Sequence, residues 1–262
     1  MRIIIPMAGE SKRFQDAGYL TPKQYIDIDG KPMIHWVCEM FSPEDDFIFI
    51  MKKEHAKNKE FIDKLETIVP KFQIVEIEKH NQGPLYTALA ADSIVEDDEQ
   101  VIFCYCDFYQ HWDYRKFLWK VNSYDGGIAV FKGFHPASFG STYYAYLLCN
   151  EKDEMIELRE KQSFTESRHE EYASSGVYYV KSWAIYKRYA KKILEDKTAI
   201  KGEYYISLIF NPMVKDNLNV VVFEIDKFIC WGTPEDLEQY NFWSDYFRND
   251  AQMIFNRRLN KG

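Results

Sequence analysis

Buried-type strands alternate with helices through the first hundred or so residues, and this alternation constrains the fold of the chain more than any other feature. Four short runs rich in β-branched and aromatic residues are typical of strands: Arg2–Pro6, Phe47–Met51, Phe72–Ile77 and Gln100–Cys106. Between the second and third of these, Glu54–Val69 carries apolar residues at helical spacing. Strands joined by helices predict a largely parallel sheet with helices on both faces.

The second half of the chain has a different rhythm. Four strand-like runs follow one another through short connections, at Gly127–Phe131, Tyr143–Cys149, Ile156–Glu160 and Ser175–Val180. This spacing indicates an antiparallel or mixed extension of the same sheet. No linker rich in Gly, Ser and Pro divides the chain, and 262 residues suffice for one α/β domain. We therefore predict a single Rossmann-like, three-layer α/β domain with a mixed, mainly parallel central sheet.

Composition excludes several classes of partner and site. With 41 acidic and 33 basic residues the net charge is −8, so the chain lacks the broad basic surface that binds nucleic acid. Its five cysteines are odd in number and include no C-x-x-C pair, which argues against disulfides and for a reducing compartment. Cys104 and Cys106 lie in a strand-like run rather than a zinc motif. The apolar start Ile3–Ala8 is interrupted by Glu10, and no run is long enough to span a bilayer. We expect a cytoplasmic protein without a membrane partner.

The loop after the first strand is the first candidate site. In open α/β sheets, ligands bind beyond the carboxyl ends of the strands, which is where Met7–Phe14 begins. Gly9 lets the backbone approach a phosphate, and Arg13 and Lys23 can bring positive charge to the same place. The pattern is neither a Walker A loop nor a G-x-G-x-x-G fingerprint. On these residues alone, an ordinary surface loop competes with a nucleoside triphosphate cradle.

The same loop, with the segment that follows it, resembles the signature of the nucleotidylyltransferases of nucleotide-sugar synthesis, a G-x-G-x-R loop followed by P-K. Here it stands as Gly9–Arg13 followed by Thr21–Lys23, with Ser11 in place of the second glycine. Ile28–Ile34 is similar to the continuation of that signature. The resemblance implies a GT-A-like domain. It assigns nucleotide binding to the loop and the lysine, that is, to Met7, Ala8, Gly9, Glu10, Ser11, Lys12, Arg13 and Lys23.

A second turn is similar to the part of the family that reads the nucleobase. It comprises Asn81–Pro84, with Thr87 in the helix that follows. The Gln82 side chain has both a donor and an acceptor, as reading a base edge requires. A simple helix N-terminus is the alternative. The resemblance implies that Gln82, Gly83 and Thr87 bind the nucleotide.

Asp107 directly follows a buried strand and is the candidate metal ligand. This position places a carboxylate at the ligand edge of the sheet. Magnesium prefers oxygen ligands and completes its shell with water and substrate phosphates, so one protein carboxylate can suffice. Asp107 resembles the family's magnesium aspartate, which implies Mg²⁺ as cofactor. A helix N-cap is the alternative role for this side chain.

Shorter matches continue through the second half. Glu160-Lys161 resembles the family's E-K pair, Ser175–Tyr178 its G-[IV]-Y strand, and Gly202–Tyr205 an N-E-[FY]-Y segment of some relatives. Gly232–Leu237 matches its G-T-P-E-D-L segment. The residues expected to bind the acceptor are Gly140, Glu160, Lys161, Gly176 and Glu203.

One position departs from the family pattern. Many relatives carry a second metal-binding aspartate two positions before the glycine of G-T-P-E-D-L, and here that position is Cys230. A neutral thiol is a poor magnesium ligand. Either Asp107 and phosphate oxygens hold the ion alone, or Asp226 or Glu203 takes the place of the missing carboxylate.

The resemblance implies a nucleotidylyltransferase in which a phosphate-monoester oxygen attacks the α-phosphorus of CTP, UTP or dTTP and pyrophosphate leaves. Arg13, Lys23 and Asp107 are the expected catalytic residues. The expected acceptor is a sugar 1-phosphate used for capsule or surface-polysaccharide precursors. A cytidylyltransferase acting on a small non-sugar phosphate, a glycosyltransferase of the same sheet architecture and a silent nucleotide-sensing domain are the alternatives.

The predicted domain divides by role into three parts. Residues 1–110 are expected to bind the nucleotide, residues 111–233 the acceptor, and residues 234–262 to form a C-terminal helix. Within that helix Leu237, Tyr240, Trp243 and Phe247 share one stripe. Packing of this stripe against the domain is the main interpretation, and a homodimer contact is the alternative.

Overall fold

A computed structural model of the chain describes the backbone of residues 1–259 and the side chains of residues 1–248. The first half alternates strands with short helices, and two 3₁₀ turns, Lys23–Tyr25 and Leu89–Ser93, interrupt it. In chain order its elements are β1 (Arg2–Pro6), α1 (Lys12–Asp16), β2 (Asp27–Ile28), β3 (Lys31–Pro32), α2 (Met33–Cys38), β4 (Asp46–Lys52), α3 (Lys53–Ala56), α4 (Lys59–Ile68), β5 (Phe72–Ile77), α5 (Pro84–Ala88), β6 (Val101–Cys104) and β7 (Phe108–His111).

The second half is richer in strands joined by short connections, with 3₁₀ turns at Arg168–Glu170 and Ile206–Ile209. In chain order its elements are α6 (Tyr114–Val121), β8 (Gly126–Phe131), α7 (Pro136–Phe139), β9 (Ala145–Cys149), β10 (Met155–Glu160), β11 (Tyr172–Val180), α8 (Trp183–Glu195), α9 (Phe210–Lys215), β12 (Val220–Glu224), β13 (Lys227–Cys230) and α10 (Pro234–Leu259).

One nine-stranded sheet runs through the whole domain. Its main path is β10-β9-β11-β6-β1-β4-β5, and β8 pairs with both β11 and β12. The first-half strands are parallel, since β1 is parallel to β4 and β6, and β4 to β5. β11 joins this block antiparallel to β6 and continues antiparallel to β9 and β8. The predicted mixed sheet, parallel in its first half, is confirmed.

Successive side chains of β1 enter two different cores. Ile3 and Ile5 belong to one buried cluster, and Ile4 belongs to the other. This alternation follows from the two-residue period of a strand, which sends neighbouring side chains to opposite faces. Because both faces are covered, the central strands β1, β4 and β6 are apolar along most of their length, and the predicted three-layer α/β fold is confirmed.

Among the element boundaries that differ from the prediction are those of the helix after β4 and of the strand before Asp107. The helix predicted over Glu54–Val69 is two helices, α3 and α4, and Asn58 between them accepts a hydrogen bond at α4's first turn from the Phe61 amide at 3.4 Å. The strand predicted to reach Cys106 ends as β6 at Cys104. Only one further backbone bond, from the Tyr105 amide to the Gly176 carbonyl at 3.2 Å, extends the pairing. The chain therefore leaves the sheet before Asp107.

A two-stranded ribbon and a third apolar cluster attach the C-terminal segment to the ligand edge. β7 and β13 pair antiparallel, with Cys230 opposite Phe108. Phe14 of α1, Trp231 and Leu237 of α10 share the third cluster. This arrangement brings the start of α10 beside α1 and the loop that follows β1.

The stripe of α10 is only partly packed. Leu237 is buried, and the Tyr240 hydroxyl donates a hydrogen bond to Asp29 at 2.7 Å. Trp243 and Phe247, one and two turns later, are 45% and 63% exposed. Packing against the domain thus accounts for Leu237 and Tyr240, the first two residues of the stripe. Residues 260–262 of the predicted C-terminal helix lie outside the described residues, and in residues 1–259 no helix has the length and apolarity needed to cross a bilayer.

Candidate active site

The loop after β1 is open around Gly9. Met7 is buried, and its amide donates to the Ile50 carbonyl at 2.8 Å, which fixes the exit from the strand. A methyl group built on Gly9 would meet no described atom within 4 Å, and Gly9 does not have a positive φ. The protein's own packing therefore does not require glycine here. The open space on this backbone is what close approach of a phosphate requires.

Ser11 adopts the backbone conformation that its glycine counterpart would favour. Its φ of 54° and ψ of 30° lie in the left-handed region. A non-glycine residue there costs about 1–2 kcal/mol, so Ser11 preserves the path of the loop at a small energetic cost. Lys12 and Arg13 follow immediately in α1 with exposed side chains.

Glu10 anchors the loop rather than facing a phosphate. Its carboxylate lies 2.7 Å from the Lys79 ammonium and 3.5 Å from that of Lys52. The hydrogen bond from Lys79 is the main reason that the pKa of Glu10 is lowered. The Glu10 side chain is thus already paired within the fold.

An ion pair between Lys23 and Asp107 occupies the centre of the site. The Lys23 Nζ lies 2.6 Å from Asp107 Oδ2, and each side chain keeps 21% of its exposure. Lys23 begins a 3₁₀ turn after Pro22, and Asp107 follows β6, so two distant segments meet at the carboxyl edge of the sheet. The pair is reachable by a ligand and is positioned by elements fixed in the core.

Both members of this pair are charged at neutral pH. Burial would lower the pKa of Lys23, but the adjacent Asp107 carboxylate outweighs it and raises that pKa above its ordinary value. Burial likewise opposes ionisation of Asp107, yet the charges of Lys23, Arg13 and Lys161 lower its pKa. These contributions also place Arg13 and Lys161 within electrostatic reach of Asp107.

The segment Gly232–Leu237 lies against Asp107. The Trp231 amide donates to the Asp107 carbonyl at 2.9 Å, and a methyl group built on Gly232 would lie 3.5 Å from Asp107 Oδ2. The β7–β13 ribbon enforces this contact, because it places Cys230 beside the residue after Asp107. A side chain at position 232 would fill the space next to the carboxylate.

Cys230 is flanked by two carboxylates. Burial, together with the charges of Asp236 and Asp107, raises the pKa of its thiol to about 12. Its Sγ lies 3.6 Å from Asp236 Oδ2. Asp236 is also held by the Thr233 hydroxyl at 2.9 Å in the first turn of α10. Sequence reasoning missed Asp236, although its position three residues after a threonine at a helix start is a recognisable capping signal.

The two carboxylates considered as replacements for the missing aspartate lie elsewhere. Asp226 pairs with His111 at 3.1 Å, at the opposite end of the β7–β13 ribbon from Cys230. Glu203 accepts a hydrogen bond from the Tyr205 hydroxyl at 2.9 Å and lies against Gly83. Asp236 is the carboxylate that the fold places beside Cys230.

The turn at Gln82-Gly83 is closed by the protein itself. The Tyr204 amide donates to the Gln82 carbonyl at 2.9 Å, and the Leu85 amide donates to the Tyr204 carbonyl at 3.0 Å. Gly83 has a φ of 88°, and a methyl group there would lie 2.8 Å from both the amide nitrogen and the carbonyl oxygen of Tyr204. Glycine is therefore required by internal packing, and only the exposed Gln82 side chain is left to meet a ligand.

Thr87 and His80 organise this turn from inside. The Thr87 hydroxyl is buried and donates to the Gly83 carbonyl at 3.1 Å. The His80 ring lies 3.2 Å from the same hydroxyl and accepts from the Gln82 amide at 3.1 Å. Burial lowers the pKa of His80, so its ring is neutral and can accept. Sequence reasoning missed His80 because its contacts depend on how the turn folds back.

Glu160 ends β10, and Lys161 follows it directly. The Glu160 side chain is 4% exposed, and Lys161 Nζ lies 3.7 Å from its Oε1. Ser207 donates a hydrogen bond to the same carboxylate, and burial raises the pKa of Glu160. Lys161 also donates to the Tyr143 carbonyl at 2.6 Å. The pair is thus held in place by three segments of the second half.

The remaining two predicted acceptor residues are glycines in packed surroundings. Gly176 has a φ of 103°, and a methyl group there would lie 3.0 Å from the Tyr105 ring. Gly140 accepts a hydrogen bond from Arg168, and a methyl group there would lie 3.6 Å from Asp236. The fold therefore accounts for Gly176, whereas Gly140 lies near the Asp236 carboxylate.

Comparison with known proteins was made at the level of families and of structures. The sequence model of one family, described as the MobA-like NTP transferase domain, matches residues 3–170. This range contains Gly9, Lys23, Asp107 and Glu160. A search of curated protein sequences finds no match.

Solved structures with this fold cover nearly the whole chain. A nucleoside-diphosphate-sugar pyrophosphorylase from Vibrio cholerae RC9 has a TM-score of 0.73 at 20% identity, covering 94% of this chain and 99% of its own. A putative glucose-1-phosphate thymidylyltransferase from Bacillus anthracis in complex with a sucrose has a TM-score of 0.69 at 17% identity, covering 92% and 94%. The inositol-1-phosphate CTP transferase from T. maritima has a TM-score of 0.67 at 15% identity, covering 90% of each chain. At these identities the structures establish a shared fold.

Proposed function

The chain belongs to the MobA-like NTP transferase domain family and is a nucleotidyltransferase, and on this premise we propose that it transfers the nucleotidyl group of CTP, UTP or dTTP to a sugar 1-phosphate. The observation that carries the proposal is the Lys23–Asp107 ion pair, with Nζ and Oδ2 2.6 Å apart, together with the open backbone at Gly9. A charged pair and an open glycine loop at the carboxyl edge of the sheet suit a triphosphate.

In the proposed reaction an oxygen of the acceptor phosphate attacks the α-phosphorus of the triphosphate. A new bond forms between that oxygen and the α-phosphorus, and the bond from the α-phosphorus to the oxygen bridging it to the β-phosphorus breaks. Pyrophosphate leaves with the electron pair. Because the nucleophile is already an anion, the site needs in-line positioning and charge stabilisation more than a general base.

The charged side chains around Asp107 have separate tasks in this proposal. Arg13, exposed at the start of α1, would stabilise the leaving pyrophosphate. Lys23 would bridge the α-phosphate and the acceptor phosphate. Lys161, whose charge reaches Asp107, would bind the acceptor phosphate from the other half of the sheet. Lys23 and Lys161 are held by the protein before the substrates arrive, which is the condition for strong transition-state stabilisation.

Enzymes of this family type usually use a divalent metal ion. Within the described residues no cluster of three or more His, Cys, Asp and Glu side chains could hold one. The donor set still fits Mg²⁺, because the partly exposed Asp107 carboxylate supplies one hard oxygen and substrate phosphates can supply others. Bound there, the ion would offset the charge of the triphosphate. Cys230, a neutral thiol, is not assigned as a ligand.

The proposal extends to the setting of the reaction. The product would be a nucleotide-sugar precursor for a capsule or surface polysaccharide, made in the cytoplasm. Residues 1–110 would bind the nucleotide and residues 111–233 the acceptor. The exposed aromatic part of α10, at Trp243 and Phe247, would be the contact of a homodimer.

A pyrophosphate-release screen tests the proposed function. It crosses CTP, UTP and dTTP with glucose 1-phosphate, mannose 1-phosphate, inositol 1-phosphate and phosphocholine, each with Mg²⁺. Release with a sugar 1-phosphate supports the proposal, and release only with a non-sugar phosphate replaces the acceptor class. Release with none of the twelve pairs would contradict it and favour a glycosyltransferase or a sensing domain.

A further inference from the structure

Tyr205 stands between the two halves of the site and has no role in the reaction described above. Its hydroxyl donates to Glu203 at 2.9 Å, and its ring lies 5.3 Å from the Lys161 ammonium. The ring is partly exposed, and the charge of Arg13 acts on its hydroxyl. Tyr205 is therefore near cations assigned to both substrates.

Lys161 is held in a strained conformation by its surroundings. Its φ of 59° lies in the left-handed region, which is unfavourable for a residue with a side chain. Its amide donates to the Tyr144 carbonyl at 2.9 Å, and its ammonium donates to the Tyr143 carbonyl at 2.6 Å. Such strain persists where neighbouring groups over-determine a residue, and it is typical of functional sites. The Tyr205 ring supplies the remaining side of this enclosure.

The segment that carries Tyr205 also closes the nucleotide turn. Tyr204, one residue earlier, bonds through its backbone to Gln82 and Leu85 at 2.9 and 3.0 Å. A displacement of the Gln82-Gly83 turn must therefore move Tyr204, because a methyl group on Gly83 would already collide with it. The next residue along the chain carries the ring beneath Lys161. This short path joins the two substrate sites directly.

We propose that Tyr205 is a positioning residue that fixes Lys161 for the acceptor phosphate and couples this lysine to the nucleotide turn. The inference rests on the proposed function and adds one property to it: binding of the nucleoside triphosphate strengthens binding of the acceptor. A nucleotide bound by the exposed Gln82 side chain restrains the preformed turn, which restrains Tyr204 and Tyr205 through the backbone bonds and so restrains Lys161. By linkage, the acceptor strengthens nucleotide binding by the same factor.

The chain offers a matched control for the contact of ring and cation. Lys132 lies over the Tyr172 ring at 5.4 Å, and the Tyr172 hydroxyl donates to Glu224 at 3.4 Å. This arrangement repeats the geometry of Tyr205 outside the site. Tyr172→Leu therefore removes an equivalent contact without touching either substrate region.

The experiment measures kcat and the acceptor KM for the most active pair of the screen, in Tyr205→Leu, Tyr205→Phe and Tyr172→Leu. Tyr205→Leu should raise the acceptor KM between about twofold and thirtyfold, the range expected for loss of a cation–π contact. Tyr205→Phe keeps the ring and should stay near the wild-type value. Tyr172→Leu should also keep an acceptor KM near the wild-type value. Thermal unfolding checks that each variant is folded.

A double-mutant cycle with Lys161→Met separates positioning from a general structural role. If Tyr205 acts through Lys161, adding Tyr205→Leu to Lys161→Met should change the acceptor KM by less than about twofold. Calorimetric titration of the same acceptor, with and without the α,β-methylene analogue of the active triphosphate, measures the coupling. Wild type should bind the acceptor more tightly with the analogue, and Tyr205→Leu should lose this difference.

The outcomes distinguish the two claims. A wild-type protein that releases no pyrophosphate with any pair overturns the proposed function, and the inference with it. An active wild type in which folded Tyr205→Leu keeps its acceptor KM and its coupling overturns the inference alone. Equal effects of Tyr205→Leu in the wild-type and Lys161→Met backgrounds would also overturn it.

Discussion

The loop at Gly9 and the turn at Gly83 both carry a glycine at the ligand edge of the sheet, but for different reasons. Around Gly9 a methyl group would meet no described atom within 4 Å, whereas at Gly83 it would lie 2.8 Å from the Tyr204 backbone. Gly83 also has a φ of 88°, and Gly9 has no positive φ. The fold thus requires glycine at Gly83, while at Gly9 it leaves room for a ligand.

The contrast between Gly9 and Gly83 shows which parts of the site have all their internal contacts before substrates bind. The turn at Gln82-Gly83 is complete, because Tyr204, His80 and Thr87 already satisfy its polar groups. The side proposed to bind phosphates is incomplete, since Lys23 and Asp107 are bonded to each other and would have to separate to accommodate the triphosphate of the proposed reaction. The open side should therefore govern turnover and the closed side should govern stability.

The largest expected effect concerns the open side. Lys23→Met and Asp107→Asn should each lower kcat about 10²–10³-fold, as for other preorganised charges at a transition state. Pyrophosphate release measures it, with the exposed Lys192→Met and Asp63→Asn as controls. Near-normal turnover in both Lys23→Met and Asp107→Asn would show that this pair is not the catalytic centre.

The next effect should fall on stability at the closed side. Gly83→Ala introduces a methyl group against the Tyr204 backbone at a φ of 88°, and should destabilise the fold by about 1–3 kcal/mol. Urea unfolding measures the change. A Gly83→Ala protein as stable as wild type would show that the turn is not closed by Tyr204 in solution.

The matched substitution at the open loop should have the opposite pattern. Gly9→Ala should change the free energy of unfolding by less than about 0.5 kcal/mol, because the new methyl group meets nothing. It should raise the KM for the nucleoside triphosphate about tenfold, since the methyl group occupies the space of a phosphate. Urea unfolding and initial rates measure both. A Gly9→Ala protein that is less stable than wild type but has a normal KM would show that packing, and not a ligand, requires glycine at this position.

The smallest effect is a pH dependence at the closed turn. Burial lowers the pKa of His80, so below its unfolded pKa of about 6.5 the unfolded chain binds a proton that the folded turn does not. The free energy of unfolding should therefore decrease as the pH drops below this value. The decrease should be smaller in His80→Gln than in wild type. Urea unfolding at pH 7.5 and 5.5 compares them. Identical pH dependence in the two proteins would show that His80 does not cause this loss of stability.

Sequence reasoning reached the open side more completely than the closed side. The strand runs placed Asp107 at the ligand edge, and the glycine loop and Pro-Lys pair placed Lys23 there. Such features are local, because a loop that follows a buried strand has little choice of location. The resemblance places a glycine of the family at the position of Ser11 without fixing the path of the loop, and the structure gives Ser11 a φ of 54°.

The contacts that complete the site are long-range and could not be read from the chain. Tyr204 closes the Gly83 turn from more than a hundred residues away, through an irregular segment with no periodicity. Asp236 reaches Cys230 only because the β7–β13 ribbon brings α10 to the ligand edge. Neither pairing follows from spacing or composition, since each depends on how separate elements pack.

The most direct test of nucleotidyl transfer follows a label. The triphosphate that is active in the screen carries ³²P at the α-phosphate. Nucleotidyl transfer predicts that the label moves into a product containing the acceptor and that the released pyrophosphate is unlabelled. The transfer should disappear in Asp107→Asn. Label recovered only as free nucleotide, with the acceptor unmodified or phosphorylated from the γ-position, would contradict it.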